Sequence, residues 1–184
     1  SAFTNDNIAI NGHNIYMFGT PNLKIFENTP FNIVDSIANA DAFYISVPQL
    51  SENQVSELEL YEKSFYRSPK GLFDSAIADP FIHDLKKLYL AGLPAINANP
   101  DFTASEKDEF GDVHFVIRQG TIAEIYRKMG GRVIEFGKPH ANIFEYVFNK
   151  LEILSKNSTA MIGDTYRTDI QGAQNYGIYG VWCT

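Results

Sequence analysis

The sequence predicts an α/β fold built on a parallel sheet. Three observations predict it. Short apolar runs alternate with longer amphipathic stretches along the chain, the pattern of strands feeding helices. Several apolar runs end on Gly, Pro or Gly-Asp, residues that hand a strand over to a loop. A composition of 45% hydrophobic and 20% charged residues, with 14 Phe and 10 Tyr, supplies a core and argues against disorder. The 184 residues correspond to one domain, or to a domain plus part of another, at about 100–200 residues per domain.

The elements follow in order. Ile15-Tyr16-Met17-Phe18 reads as a buried strand ending at Gly19, and Ala42 to Val47 as another closed by Pro48. Between them Ile33, Val34 and Ile37 fall at helical spacing, which predicts a helix over Phe31–Asn39. Residues 50–70 are ambiguous: Ser51 suggests a helix start, while Pro69 and Lys70-Gly71 break the pattern. Asp79-Pro80 starts a helix with Phe81, Leu85, Leu88 and Tyr89 on its apolar face and Gly92 as its stop. Pro94 to Asn97 is a short strand running into Asn99-Pro100-Asp101. Val113–Ile117 is a strand and Gly120–Met129 a helix closed by Gly130-Gly131. Arg132–Phe136 is a strand, after which Gly137-Lys138-Pro139 leads to a helix from about Ala141. Ile143, Phe144, Val147, Phe148 and Leu151 repeat there at three and four. Thr159–Ile162 and Gly180–Cys183 are the last strands.

Charge and cysteine content narrow the function classes. A net charge of −7 and the lack of a Lys/Arg block speak against a nucleic-acid or anionic-membrane partner. No apolar run is long enough to span a bilayer. The single cysteine, Cys183, permits no disulfide within the chain, which suits a reducing compartment. With a polar start and no leader pattern over Ser1–Ile10, the expected location is the cytoplasm. His13, His83, His114 and His140 lack metal-ligand spacing to one another or to Cys183.

The strongest chemical signal is Gly163-Asp164-Thr165-Tyr166-Arg167-Thr168-Asp169. A buried strand delivers Asp164 to the carboxyl edge of the sheet, where open α/β sheets bind ligands. Thr168 with Gln171 fits a capping box that would start a helix at Asp169. Two carboxylates would then converge, and Mg²⁺ is typically held by one or two carboxylates with water and substrate phosphate. On local grounds Asp169 reads equally well as an acid placed to suit the helix dipole. Lys138, at the end of the preceding strand, offers a point charge for a phosphate oxygen or for a bridge between carboxylates, or is a solvated turn lysine. Pro139 can occupy the first helical turn. One helix separates Lys138 from Asp164, so the two are expected at the ends of adjacent parallel strands, the layout of a phosphoryl-transfer site. Asn97-Ala98-Asn99-Pro100-Asp101 reads locally as a turn. Arg118-Gln119-Gly120-Thr121 reads as a strand-to-helix junction, whose backbone N–H groups could meet an anion or which is a plain connection, the better fit locally.

Together these residues resemble the haloacid dehalogenase (HAD) superfamily, in particular its class IIA phosphatases. The segment GKPHANIFEYVFNKL resembles the third motif, and MIGDTYRTDIQGAQNYG the fourth. AINANPD resembles the cap segment before the substrate-specificity loop, and RQGTIAEIYRKMGG the helix before the third motif. The resemblance covers roughly residues 85–184. It implies an α/β fold with a parallel, HAD-like Rossmannoid core segment (132–184), an inserted α/β cap (15–131) and a linker (1–14). It implies a Mg²⁺-dependent phosphoric monoester hydrolase acting through an aspartyl-phosphate on a small phosphorylated metabolite. Lys138 would be catalytic, Asp164 and Asp169 would bind the metal, and Asn99, Asp101, Gly137 and Thr165 would contact substrate. Caps of this family often mediate dimer contacts, so a homodimer through the aromatic-rich stretch Phe65–Phe81 is implied.

One departure limits that implication. The family's first motif, Asp-x-Asp, supplies the attacking carboxylate, and no Asp in this sequence is followed two positions later by another Asp. No segment ahead of Ile15 hosts the second motif convincingly. The expectation is therefore a segment of a larger hydrolase, inactive alone. Two readings compete with it: a non-catalytic relative that binds or oligomerises, and an unrelated α/β domain with chance motifs.

Overall fold

The computed structural model describes residue 10 and residues 12–58 and 63–183. Most of the expected linker and residues 59–62 of the ambiguous stretch lie outside the described residues. The chain divides into two compact units, Ala9–Asn97 with Asp101–Ile134, and Glu135–Thr184 with Ala98–Pro100.

The larger unit is built on a five-stranded sheet. Strand β1 (Asn14–Phe18) pairs in parallel with β2 (Asn32–Val34) on one side and β3 (Ala42–Ile45) on the other. The short β4 (Gln49–Leu50), helix α1 (Glu52–Ser56), β5 (Phe65–Arg67) and β6 (Phe73–Ser75) follow. Strands β4, β6 and β5 form a separate antiparallel sheet. Helix α2 (Asp79–Leu90) leads to β7 (Ala95–Asn97), which is parallel to β3. Strands β8 (Thr103–Lys107) and β9 (Val113–Ile117) make a hairpin. Helix α3 (Gln119–Lys128) leads to β10 (Val133–Glu135) at the edge beyond β7. The parallel α/β reading is thus observed, in the order β10-β7-β3-β1-β2.

The core of this unit lies where α2 and α3 cover the sheet. Phe81, Leu85 and Leu88 of α2 and Ile122 and Tyr126 of α3 are buried with Phe43 of β3. Tyr89, expected on the same face, is half exposed. The Tyr126 ring stands edge-on to Phe43 at 4.9 Å, and its hydroxyl donates to the Leu93 carbonyl (2.5 Å).

The helix expected over Phe31–Asn39 does not form. Its apolar residues sit in strand β2, where Ile33 pairs with Ile15, and in a 3-10 turn over Ile37–Asn39. Ile and Val are β-branched and favour a pleated surface. Ser36 then starts the turn by accepting the Ala38 N–H. Pro69 and Gly71, read as helix breakers, turn the β5–β6 hairpin: the Ser68 N–H donates to Leu72 O, and Gly71 has φ +80°.

The smaller unit contains helix α4 (Ala141–Lys150), β11 (Ala160–Gly163), helix α5 (Gln171–Tyr176) and β12 (Tyr179–Trp182). Strands β11 and β12 pair in parallel, Gly163 opposite Trp182. Phe144 and Phe148 of α4 are buried and pack on the Tyr176 ring, at 5.4 and 5.0 Å. Gly172 lets α5 approach this contact: a Cβ there would stand 2.9 Å from the Phe144 ring and 3.1 Å from Pro139 Cα. Val147 and Leu151, expected on the same apolar face, are exposed.

Candidate active site

The site grows out of the β11 end. Gly163 closes the strand and Asp164 follows it with an exposed side chain. Next comes a π-type turn over Tyr166–Ile170 that runs straight into α5. Thr168 therefore lies inside the helical segment and makes no cap. The capping box expected from Thr168 and Gln171 is replaced by a turn entered at Thr165. The turn carries Asp169 back beneath its own start. Asp169 Oδ2 accepts the Thr165 N–H (3.1 Å), and the carboxylate also receives the Asp164 N–H. A Cβ on Gly163 would stand only 2.2 Å from that oxygen, so only glycine lets the carboxylate lie here.

Lys138 completes the arrangement. Its ammonium donates to Asp169 Oδ1. The lysine side chain is 42% exposed and the aspartate side chain 4%. Burial pushes the Asp169 carboxyl up, but Lys138 and the Thr165 and Asp164 N–H groups outweigh it and hold it below the ordinary value. Both oxygens of Asp169 are thus engaged, while Asp164 Oδ1 meets only the Thr165 hydroxyl (3.2 Å) among its described hydrogen bonds.

The loop carrying Lys138 is shaped by its neighbours. Gly137 has φ +87°, and a Cβ there would meet the Ala98 carbonyl at 2.8 Å, a position that favours glycine on both counts. Pro139 follows a cis peptide bond and precedes the helix, whose N-cap is His140, so it does not occupy the first helical turn. Asn175 Nδ2 of α5 donates to the Pro139 carbonyl (3.3 Å).

The expected neighbour relation also changes. Strand β10 joins the sheet through β7, whereas β11 pairs with β12, so Lys138 and Asp164 do not end adjacent strands. Lys138 reaches the corner by pairing with Asp169 instead. Of the other predicted residues, Thr165 and Gly137 fall in the smaller unit with Lys138, as does Asn99. Asp101 falls in the larger unit, where its carbonyl accepts the Gly120 N–H (2.9 Å).

Sequence reasoning missed Trp182. Its indole N–H donates to the Asp164 carbonyl (2.9 Å), and its ring meets Tyr166 edge-on at 5.9 Å. It holds the backbone that presents Asp164. The available signal was the register: a Trp near the end of the last strand, across from Gly163.

The donor set suits a hard cation in part. Asp164 is an exposed carboxylate at a strand end with a hydroxyl beside it, and Mg²⁺ commonly takes one or two carboxylates with water and phosphate oxygens. Among the described residues no group of three or more His, Cys, Asp or Glu converges on a metal position.

Residues 135–184 match the model of the HAD-hydrolase-like family, which bears out the resemblance read from the Lys138 and Asp164 segments. The chain has the fold of solved haloacid dehalogenase-like structures. One is a hydrolase of the haloacid dehalogenase-like family from Brucella suis, at 22% identity and a TM-score of 0.68, over 97% of this chain and 60% of that one. A p-nitrophenyl phosphatase from Archaeoglobus fulgidus is 18% identical with a TM-score of 0.60, over 92% and 54%. A thermostable NPPase from Geobacillus stearothermophilus is 20% identical with a TM-score of 0.59, over 91% and 55%. The chain thus spans little more than half the length of these structures. No curated protein matches the sequence. No helix among the described residues is long and apolar enough to cross a membrane.

Proposed function

We propose that this chain supplies the metal and phosphate side of a Mg²⁺-dependent phosphoric monoester hydrolase. The observation that carries the reading is the Lys138–Asp169 pair set beside the exposed Asp164 carboxylate at the end of β11. Asp164 would hold the cation, and Asp169 would position Lys138, with Thr165 and Gly137 lining the phosphate side. A bound Mg²⁺ would neutralise charge on the transferring phosphoryl group. Lys138, with part of its side chain exposed, would meet a phosphoryl oxygen while Asp169 fixes its direction. In this reading Asp169 acts on the lysine, because its oxygens are already taken up.

The attacking carboxylate would come from an Asp-x-Asp strand outside these residues, giving an aspartyl-phosphate that water then hydrolyses. One bare face of the β11–β12 pair supports this. Ile162, Tyr179 and Val181 are exposed on it, while Ile170 and Ala173 lie against Gly180 on the other face, and parallel strands are ordinarily covered on both faces. The larger unit would be the inserted cap, with Asn99 and Asp101 at its boundary, and the substrate a small phosphorylated metabolite.

The test is p-nitrophenyl phosphate hydrolysis. The 184-residue chain alone is expected to show no turnover with Mg²⁺. A polypeptide that adds an Asp-x-Asp strand ahead of it is expected to turn over, and to lose at least 100-fold on Asp164→Asn or Lys138→Met. Activity of the extended polypeptide that survives both substitutions would refute the assignment.

A further inference from the structure

Trp182 is the single tryptophan of the chain. Burial among the described residues does not account for its place, since 56% of it is exposed. Its indole instead reaches the segment that presents Asp164. What that bond controls follows from the backbone around residue 164.

Peptide groups are planar, so only two backbone torsions are soft at each residue. The direction of the Asp164 side chain is therefore set once the peptide planes 163–164 and 164–165 are fixed. Each plane is held at both ends. In the first, the Gly163 carbonyl accepts the Cys183 N–H (2.9 Å), and the Asp164 N–H donates to the Asp169 carboxylate. In the second, the Asp164 carbonyl accepts the Trp182 indole N–H (2.9 Å), and the Thr165 N–H donates to Asp169 Oδ2 (3.1 Å). Asp169 thus takes both N–H groups, while Cys183 and Trp182 hold both carbonyls. Cys183 acts through its main chain, which any residue but proline supplies. Trp182 acts through its side chain, so the residue type at 182 matters.

The Asp164 carboxylate has little else to aim it. Its side chain is exposed, and Oδ1 meets only the Thr165 hydroxyl (3.2 Å) among its described hydrogen bonds. A ligand already aimed at its cation binds it more tightly, because less ordering is needed on binding.

We propose that Trp182 is a positioning residue for the cation at Asp164: its indole N–H fixes the 164–165 peptide plane and so sets how tightly the site takes Mg²⁺. This inference rests on the reading of Asp164 as a metal ligand. Removing a group that orients a metal ligand typically costs about 10–100-fold in affinity or activity. The indole bond is exposed, which places its loss near the lower end of that range. The edge-on contact with Tyr166 (5.9 Å) has no part in fixing the plane.

The test is an amide NMR titration of the whole chain with Mg²⁺ at constant ionic strength. Because the chain has one tryptophan, biosynthetic replacement by benzothienylalanine changes this residue alone. It puts sulfur in place of the indole N–H and keeps the fused rings. The midpoint of the Mg²⁺-induced shifts at Asp164 and Thr165 is expected to rise about tenfold. Tyr166→Leu removes the ring contact, keeps the bond and should leave the midpoint where it is. The unsubstituted chain gives a second readout. If the bond favours the cation, the cation favours the bond to the same extent. Mg²⁺ should therefore slow hydrogen exchange of the indole N–H, with the midpoint seen at Asp164. An unchanged midpoint in the substituted chain, whatever its Tm, or indole exchange indifferent to Mg²⁺, would overturn the proposal and leave Asp164 standing as a ligand. No Mg²⁺-dependent shift at Asp164 in the unsubstituted chain would overturn the metal-ligand reading and this proposal together.

Discussion

Gly163 and Asp169 set each other's positions. A methyl group on residue 163 would stand 2.2 Å from Asp169 Oδ2, so Gly163→Ala must displace the carboxylate that holds Lys138. Overpacking of this kind costs about 1–3 kcal/mol, and a thermal melt should record a lower Tm for the variant. The same carboxylate makes the unit acid-sensitive. Its pKa is lower folded than unfolded, so its contribution is fully present above the unfolded value, about 4 for Asp. The contribution is lost as pH falls through the folded value. In Lys138→Met, burial is opposed only by the two backbone N–H groups, so the Asp169 carboxyl should titrate higher than in the parent. A ¹³C-carboxyl NMR titration reads this directly, and an unchanged midpoint would contradict the pairing. Gly163, Asp164 and Lys138 were legible in the sequence because strand ends and glycines mark a sheet edge. The pairing of Lys138 with Asp169 was legible only as one alternative, a lysine bridging carboxylates, and its geometry was not. It depends on a π-type turn that folds Asp169 back under Thr165, a geometry without a pattern of its own in the sequence.

Among the elements, those with strong periodicity formed where expected. Helix α2 buries Phe81, Leu85 and Leu88 of the four residues its spacing selected and leaves Tyr89 half exposed, and in α3 Tyr126 is held firmly. Burial, reinforced by Tyr89, pushes its hydroxyl pKa up to about 12, and that hydroxyl donates to Leu93 O. Tyr126→Phe leaves this carbonyl without its donor and is expected to cost about 1 kcal/mol, measurable by urea unfolding. Strand β2 was misread because three apolar residues fit either period, and pairing with β1 decides between them. Strand β8, TASEK, was invisible because it is mostly exposed and shows no apolar alternation. Its hairpin is fixed at the turn instead. Asp108 accepts the Phe110 and Asp112 N–H groups and bonds His114 Nε2 (2.8 Å), and His114 stacks on Tyr66 at 3.7 Å. The His114 bond is the main cause holding the Asp108 carboxyl below its ordinary value. His114→Ala should raise that value and speed amide exchange across β8 and β9; unchanged exchange would show that the turn alone holds the hairpin.

At the scale of the whole molecule, the α/β class and the parallel sheet were readable from alternation alone. The division into units was less so, because the boundary falls inside β10 and at Ala98–Pro100 instead of in a composition break. The two units differ in how completely they cover their sheets. The larger buries Phe43, Ile45, Leu85 and Ile122 in one core, while the smaller leaves Ile162, Val181 and Trp182 of its two strands exposed. That contrast supports the reading of the smaller unit as part of a site to which other strands contribute. The central claim is that Asp164 is a metal ligand beside a phosphate-side lysine. Titration with Mn²⁺, followed by paramagnetic broadening of amide resonances, tests it most directly. Selective broadening at Asp164, Thr165 and Lys138, reversed by excess Mg²⁺ and absent in Asp164→Asn, is the predicted result. Broadening that spares these residues, or persists unchanged in Asp164→Asn, would contradict it.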